Sequence, residues 1–212
     1  MFARQTQLST IPTEPIWRLS VGQYHQMIAS GILTADDRVE LLDGLLTLKM
    51  PKKPPHRLVT KLLRTCLEAL TTEGWYTDSQ EPITLATSEP EPDLMIVQGN
   101  PRDYSDRHPS GTDLGLVVEI ADTTLERVGD SRAVLPRTLK KQLYAEAQIP
   151  CYWLINLPER SLTIYTNPIT QEGRSDYQQS ATIDETGVVP VVIAGQKWGA
   201  IALSDVLPEH KN

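Results

Sequence analysis

Apolar and polar positions along the chain change rhythm several times, and each rhythm predicts an element. SVGQYHQMIASG reads as a short helix over 21–30, with Ser20 as N-cap and Gly31 as stop. RVELLDGLLTLKMP sets two apolar runs around Asp43-Gly44, a pair that suits a tight hairpin because both positions tolerate positive φ. Strands are expected near 39–42 and 45–50, closed by Pro51, Pro54 and Pro55. In HRLVTKLLRTCLEALTTEG the apolar residues fall at 59, 62, 63, 66, 67 and 70, a helical stripe ended by Gly74. WYTDSQ, EPITLATS and PDLMIV read as three strands, and NPRDYSDRHPSGTD as a loop with one helical turn. LGLVVEIAD is an apolar strand interrupted by one acid, and TLERVGDSRAVLP is a loop. RTLKKQLYAEAQ is a helix opened by Pro136, which places Lys140 in its first turn. IPCYWLINL is a buried strand. SLTIYTN, SDYQQSATI and VVPVVIA form a β-rich tail that extends the sheet or makes a dimer contact, and IALSDVLP ends in a short helical turn.

Strands as continuously apolar as LGLVV and CYWLI need cover on both faces. The expected class is therefore α/β (α+β): a mixed central sheet flanked by helices, with a β-rich C-terminal extension. The expected organisation is a flexible arm over 1–16, one domain over 17–206 and a tail over 207–212.

Composition narrows the function classes. The chain has 212 residues and a formal net charge of −7. That charge argues against sequence-independent coating of nucleic acid, which works through a basic surface, but it leaves room for a nuclease with a local basic face. Two runs are locally basic: PKKPPHRLVTKLLR at 51–64, and residues 131–141 with Arg132, Arg137, Lys140 and Lys141. Cys66 and Cys151 stand in apolar surroundings without metal-ligand spacing and read as buried thiols. No transmembrane run and no signal-peptide pattern is visible, so a cytoplasmic protein without membrane contact is expected.

Two acids sit where acids are costly. Asp93 opens PDLMIV behind a proline, and Glu119 interrupts LVVEIAD. A carboxylate buried without partners costs several kcal/mol, on the order of a lost salt bridge or more. Asp93 alone could be a turn acid before a strand, and Glu119 alone could be ion-paired within the sheet. On adjacent strands the two could converge on one hard divalent cation, with Lys140 close enough to orient water or stabilise a phosphate.

This set resembles the PD-(D/E)XK restriction-endonuclease-like superfamily. The resemblance is closest to a large bacterial branch abundant in cyanobacteria and long described as a domain of unknown function. It covers roughly residues 17–166 and rests on VELLDGLLTLKMP with His56, EPDLMIV, YSDRHP, LVVEIADTTLE and KKQLYAEAQIPCYWLINLPER. The resemblance implies Asp93 and Glu119 as metal ligands, with the carbonyl of Ile120 as a third. It places Glu40 near the site, His56 at the start of the long helix, and Lys140 as the lysine of the motif. Glu40 could equally be a solvent-facing hairpin acid, and His56 a residue with a structural hydrogen bond. The chain departs from the superfamily pattern in two places. Ala121 stands where the strand lysine is usual, and Pro136-Arg137 replaces the Asp-Arg pair that precedes the helix lysine. Tyr144 and Trp153 read as core, and His25, His108 and His210 as surface or loop residues.

The implied activity is Mg²⁺- or Mn²⁺-dependent hydrolysis of DNA phosphodiester bonds, by a homodimer on the analogy of related nucleases. The alternative is a catalytically inactive nuclease fold kept for DNA binding or as a regulatory or accessory module. RNA and branched DNA are further substrates that the sequence leaves open.

Overall fold

The structure, a computed structural model, describes residues 16–122 and 131–210, with side chains in the third helix from residue 138. Residues 1–15 of the arm expected over 1–16, residues 123–130 at the expected loop, and residues 211–212 of the expected tail lie outside the described residues.

Helix α1 (Val21–Ala29) starts as expected. Ser20 Oγ accepts from Gln23 N and Gln23 Oε1 accepts from Ser20 N, so two otherwise unpaired donors are satisfied reciprocally. Strands β1 (Val39–Leu42) and β2 (Leu45–Leu48) pair antiparallel. Their turn has φ of 48° at Asp43 and 73° at Gly44, the conformation that the Asp-Gly pair favours. Helix α2 (Pro54–Leu70) buries Val59, Leu63 and Leu67 along one stripe and ends before Gly74.

The central sheet has six strands: β3 (Trp75–Asp78), β4 (Leu94–Gln98), β5 (Leu114–Ala121), β6 (Cys151–Asn156), β7 (Ser161–Gln171) and β8 (Arg174–Asp184), in that spatial order. All neighbours are antiparallel except β5 and β6. That parallel step requires a crossover, which helix α3 (Ser131–Glu146) supplies.

Alternation along the strands sorts the core into two layers. Leu94, Ile96, Leu116, Val118, Trp153 and Ile155 face α2 and a second hairpin, β9 (Val188–Ile193) with β10 (Gln196–Ala202). Met95, Val97, Val117, Tyr152 and Leu154 face α3. Gly115 lets the second hairpin approach: a Cβ there would lie 2.5 Å from Ile193 Cγ2 and 2.9 Å from the Trp75 ring. The β-rich tail thus extends the sheet through β7 and β8 and covers one face with β9 and β10.

Three expectations need correction. EPITLATS is not a strand. Ile83 N bonds Pro90 O and Leu85 N bonds Ser88 O, so the segment folds back on itself while Ile83 and Leu85 anchor it in the core. The alternation was real, but it serves a loop. Second, α3 begins at Ser131, so Pro136 lies inside the helix rather than opening it, and Lys140 falls well beyond the first turn. Third, residues 101–113 hold two 3-10 turns, Pro101–Tyr104 and Gly111–Asp113, where one turn was expected.

Candidate active site

The register of β4 against β5 explains where the two acids meet. Leu94 pairs with Val118, so continuing the register would set Asp93 opposite Glu119 and Pro92 opposite Ile120. Proline has no N–H to give, and the Pro92 carbonyl is already taken by Gln80 N at 3.0 Å. The strands therefore part at Pro92. The Ile120 N–H donates instead to Asp93 Oδ2 at 2.8 Å. In an antiparallel ladder the N–H and C=O of one residue leave from the same edge, so the Ile120 carbonyl also faces this gap.

Asp93 is buried among donors. His56 Nε2, from α2, lies 3.0 Å from Oδ2, and Lys52 Nζ lies 3.1 Å from Oδ1. Burial pushes this carboxyl up. The hydrogen bond and charge of His56, the charge of Lys52 and the Ile120 N–H more than offset it, holding Asp93 below the usual carboxylate range. His56 is itself fixed by Thr60, whose Oγ1 lies 3.3 Å from Nδ1.

Glu119 projects from β5 toward α3. Lys140 Nζ donates to its Oε1 at 3.1 Å, and Tyr144 OH donates to the same oxygen at 2.6 Å. Lys140 also reaches Glu40 Oε2 at 3.0 Å, and the Glu91 N–H donates to that oxygen at 3.2 Å. Glu40 therefore points inward from β1 and is buried, not solvent-facing. Burial raises the Glu119 carboxyl. The Lys140 charge lowers it, the charges of Asp93 and Glu40 raise it again, and the Tyr144 hydrogen bond lowers it, leaving it above its ordinary value. Burial disfavours the Lys140 ammonium, yet Glu119 and Glu40 together hold it above its ordinary range. Burial thus outweighs the lysine in contact with Glu119.

Every residue expected at the site, Glu40, His56, Asp93, Glu119, Ile120 and Lys140, lies in this one connected network. Tyr144 was read only as core. It is core, but it also holds Glu119, and its position four residues after Lys140 puts both on one helix face. Lys52 is the member of the basic run that contacts the site. Lys53, Arg57 and Lys61 are exposed on or beside α2, Arg64 pairs with Glu68, and Lys141 pairs with Asp176. The side chains of Arg132 and Arg137 lie outside the described residues. Asp122, at the strand end, accepts a long bond of 3.4 Å from Lys53 N.

Among the described residues, no three His, Cys, Asp or Glu side chains converge in a set that could hold a metal by themselves. The donors suit a hard cation in a different way. Two carboxylates and a backbone carbonyl are all oxygens, and Mg²⁺ uses one or two carboxylates while water and phosphate fill its other positions.

A family profile described as "Uma2: Putative restriction endonuclease" matches residues 21–200. The fold is similar to that in a crystal structure described as a putative nuclease belonging to DUF820 from Anabaena variabilis. The TM-score is 0.64 at 11% identity, covering 89% of this chain and 97% of that one. No curated protein matches. The restriction-endonuclease-like architecture implied by the sequence motifs is thus the observed one. Among the described residues no helix is long and apolar enough to cross a membrane.

Proposed function

Because the chain belongs to the Uma2 family of putative restriction endonucleases, we propose that it is a divalent-metal-dependent endonuclease that hydrolyses DNA phosphodiester bonds. The observation that carries this reading is the joining of Asp93, Glu119 and Glu40 through one N–H and one ammonium at the point where β4 and β5 separate.

Asp93, Glu119 and the Ile120 carbonyl would hold Mg²⁺ or Mn²⁺. When bound, the cation supplies Lewis-acid stabilisation of phosphate charge and a more acidic water. Lys140 orients a water for in-line attack on phosphorus and offers its ammonium to charge developing on the phosphate. As the new P–O bond forms, the opposite P–O bond to the leaving oxygen breaks. Tyr144 and Glu40 fix Lys140 and Glu119 in register. His56 and Lys52 keep Asp93 ionised. Exposed Lys53, Arg57 and Lys61 hold the DNA backbone. Cutting both strands calls for two such sites related by a two-fold axis, which makes a homodimer part of the same proposal.

The test is conversion of supercoiled plasmid to nicked and linear forms in Mg²⁺ or Mn²⁺. Cleavage is expected to fall about 100-fold or more in Glu119→Ala, the scale of losing a principal electrostatic group. Equal rates in the variant would overturn the site. A second reading, a DNA-binding module without turnover, is favoured by Ala121, fully buried where the superfamily lysine stands. Retarded DNA with no cleavage in either metal would support that reading. Parallel RNA substrates separate the two nucleic acids.

A further inference from the structure

We propose that the cavity between α1 and the 101–110 loop is a nucleobase pocket. In our reading it takes an unpaired base carrying an exocyclic amino group, from the strand whose phosphate lies at the carboxylate cluster. The inference rests on the nuclease reading above and names what that site selects.

The cavity has a volume of about 680 Å³ and is lined by His25, Thr84, Glu89, Tyr104, Arg107 and His108. Small-ligand sites run from roughly 300 to 1,000 Å³, so a nucleoside fits. Its walls suit a flat ring. Tyr104 offers an aromatic surface capped by the Arg107 guanidinium 4.8 Å from the ring centroid. The His25 and His108 rings stand 6.4 Å apart, and Ile28 and Ala29 add apolar wall from α1.

The floor is a carboxylate. Glu89 is only 4% exposed. Its Oε2 accepts from His25 Nε2 at 2.6 Å and from Thr84 Oγ1 at 3.0 Å. The other oxygen has no hydrogen-bond partner among the described residues. That oxygen is not among the enclosed, unpartnered polar atoms, so it is open to the cavity, where a carboxylate oxygen can only accept and selects a donor. Among the bases, cytosine N4, adenine N6 and guanine N2 carry such exocyclic donors. Thymine would bring a carbonyl oxygen against the carboxylate. At the mouth stand the exposed side chains of His25, Arg107 and His108, with Arg107 paired to Asp113 and Asp106 beside it, so the entrance is polar and of mixed charge.

Position links the pocket to the proposed chemistry. Glu89 and Asp93 are four residues apart, no more than about 14 Å along an extended chain. The segment between them is stiffened by Pro90 and Pro92. Glu89 N donates to Leu41 O at 2.7 Å, and Leu41 follows Glu40 on β1. Pocket floor and carboxylate cluster are therefore built on the same two backbones.

The test measures binding of fluorescein-labelled oligo(dC) and oligo(dT) by anisotropy, with the full chain in EDTA at pH 8. Oligo(dC) is expected to bind about tenfold tighter, the scale of one good base-edge contact. In Glu89→Gln, His25 keeps the amide oxygen and the NH₂ group faces the base, so the preference shrinks to within about twofold or inverts. Because Glu89 is buried, a second variant, His108→Ala at an exposed position, tests the pocket independently; oligo(dC) binding should weaken about threefold or more. Excess cytidine that displaces oligo(dC), where thymidine does not, shows that the base suffices alone. A retained dC preference without displacement shows that the base is taken only within a strand. Equal affinity of the wild-type chain for the two oligonucleotides, or a preference unchanged in Glu89→Gln, overturns the pocket. If plasmid is still cleaved in that case, the nuclease reading survives; loss of both binding and cleavage removes the two together.

Discussion

Asp93, just before β4, accepts from the N–H of Ile120, the residue after Glu119 on β5, and the protein holds the two acids in opposite ways. Around Asp93, donors come from three separate places: a histidine on α2, a lysine before it, and the peptide of Ile120. The carboxyl is held low and ionised. Around Glu119, burial dominates, and the two donors, Lys140 and Tyr144, come from one face of one helix. That carboxyl is held high. The contrast teaches a division of labour. One acid is held as an anion by several independent donors, whereas burial outweighs the donors at the other and lifts its carboxyl above the ordinary value.

The contrast can be broken at Lys140 first. Lys140→Met leaves Glu40 and Glu119 buried without their shared counter-charge, and loss of one partner of a buried pair costs about 3–5 kcal/mol. Urea denaturation should show that loss, and plasmid cleavage should fall with it. Tyr144→Phe removes one charge-assisted hydrogen bond to Glu119 and should cost about 1.5–3 kcal/mol in the same assay. Lys52→Ala is expected to cost less than about 1 kcal/mol. Its side chain is 38% exposed and two other donors remain on Asp93. A loss at Lys52 as large as that at Lys140 would erase the proposed asymmetry.

The least conspicuous effect is in the pH dependence, measured without metal. Asp93 has a lowered folded pKa, so its contribution is present above the ordinary carboxylate value, near 4, and is lost as pH falls through the folded value. Glu119 has a raised folded pKa, so the native state binds the extra proton. Its effect has the other sign: stability declines as pH rises from near 4 through the folded value and is then level. Urea midpoints across pH 3 to 8 should lose the acid-side decline in Asp93→Asn and the opposite slope in Glu119→Gln. The same slope change in both variants would contradict the division.

Much of this site was legible because burial leaves marks in sequence. Asp93 and Glu119 stood out as acids inside apolar runs, and the Asp43-Gly44 turn was legible because few residue pairs accept two positive φ values. Other features were hidden by patterns with two physical solutions. Ile83 and Leu85 alternate like a strand, yet a loop that turns back can bury the same two side chains. Pro136 suits a helix start but sits inside α3, so the depth of Lys140 along the helix was misjudged. Tyr144 was hidden because a tyrosine in an apolar stripe is fully explained by packing, and only coordinates reveal where its hydroxyl points. The sequence leaves both orientations open for Glu40, since strand alternation does not say which face a two-stranded hairpin turns inward.

The Glu40–Lys140 ion pair has a consequence for folding. It ties the first strand to the third helix, and the group between them, Glu119, lies on the middle of the central sheet. Contacts of such long sequence separation close late, because the entropy of the intervening chain must be lost before they form. A chain still emerging during synthesis holds Glu40, then Glu119, but not Lys140, the cation that pairs with both. The proposed cutting machinery would therefore stay unassembled in partly made or partly unfolded chains, so that a potentially damaging activity is released only by complete folding.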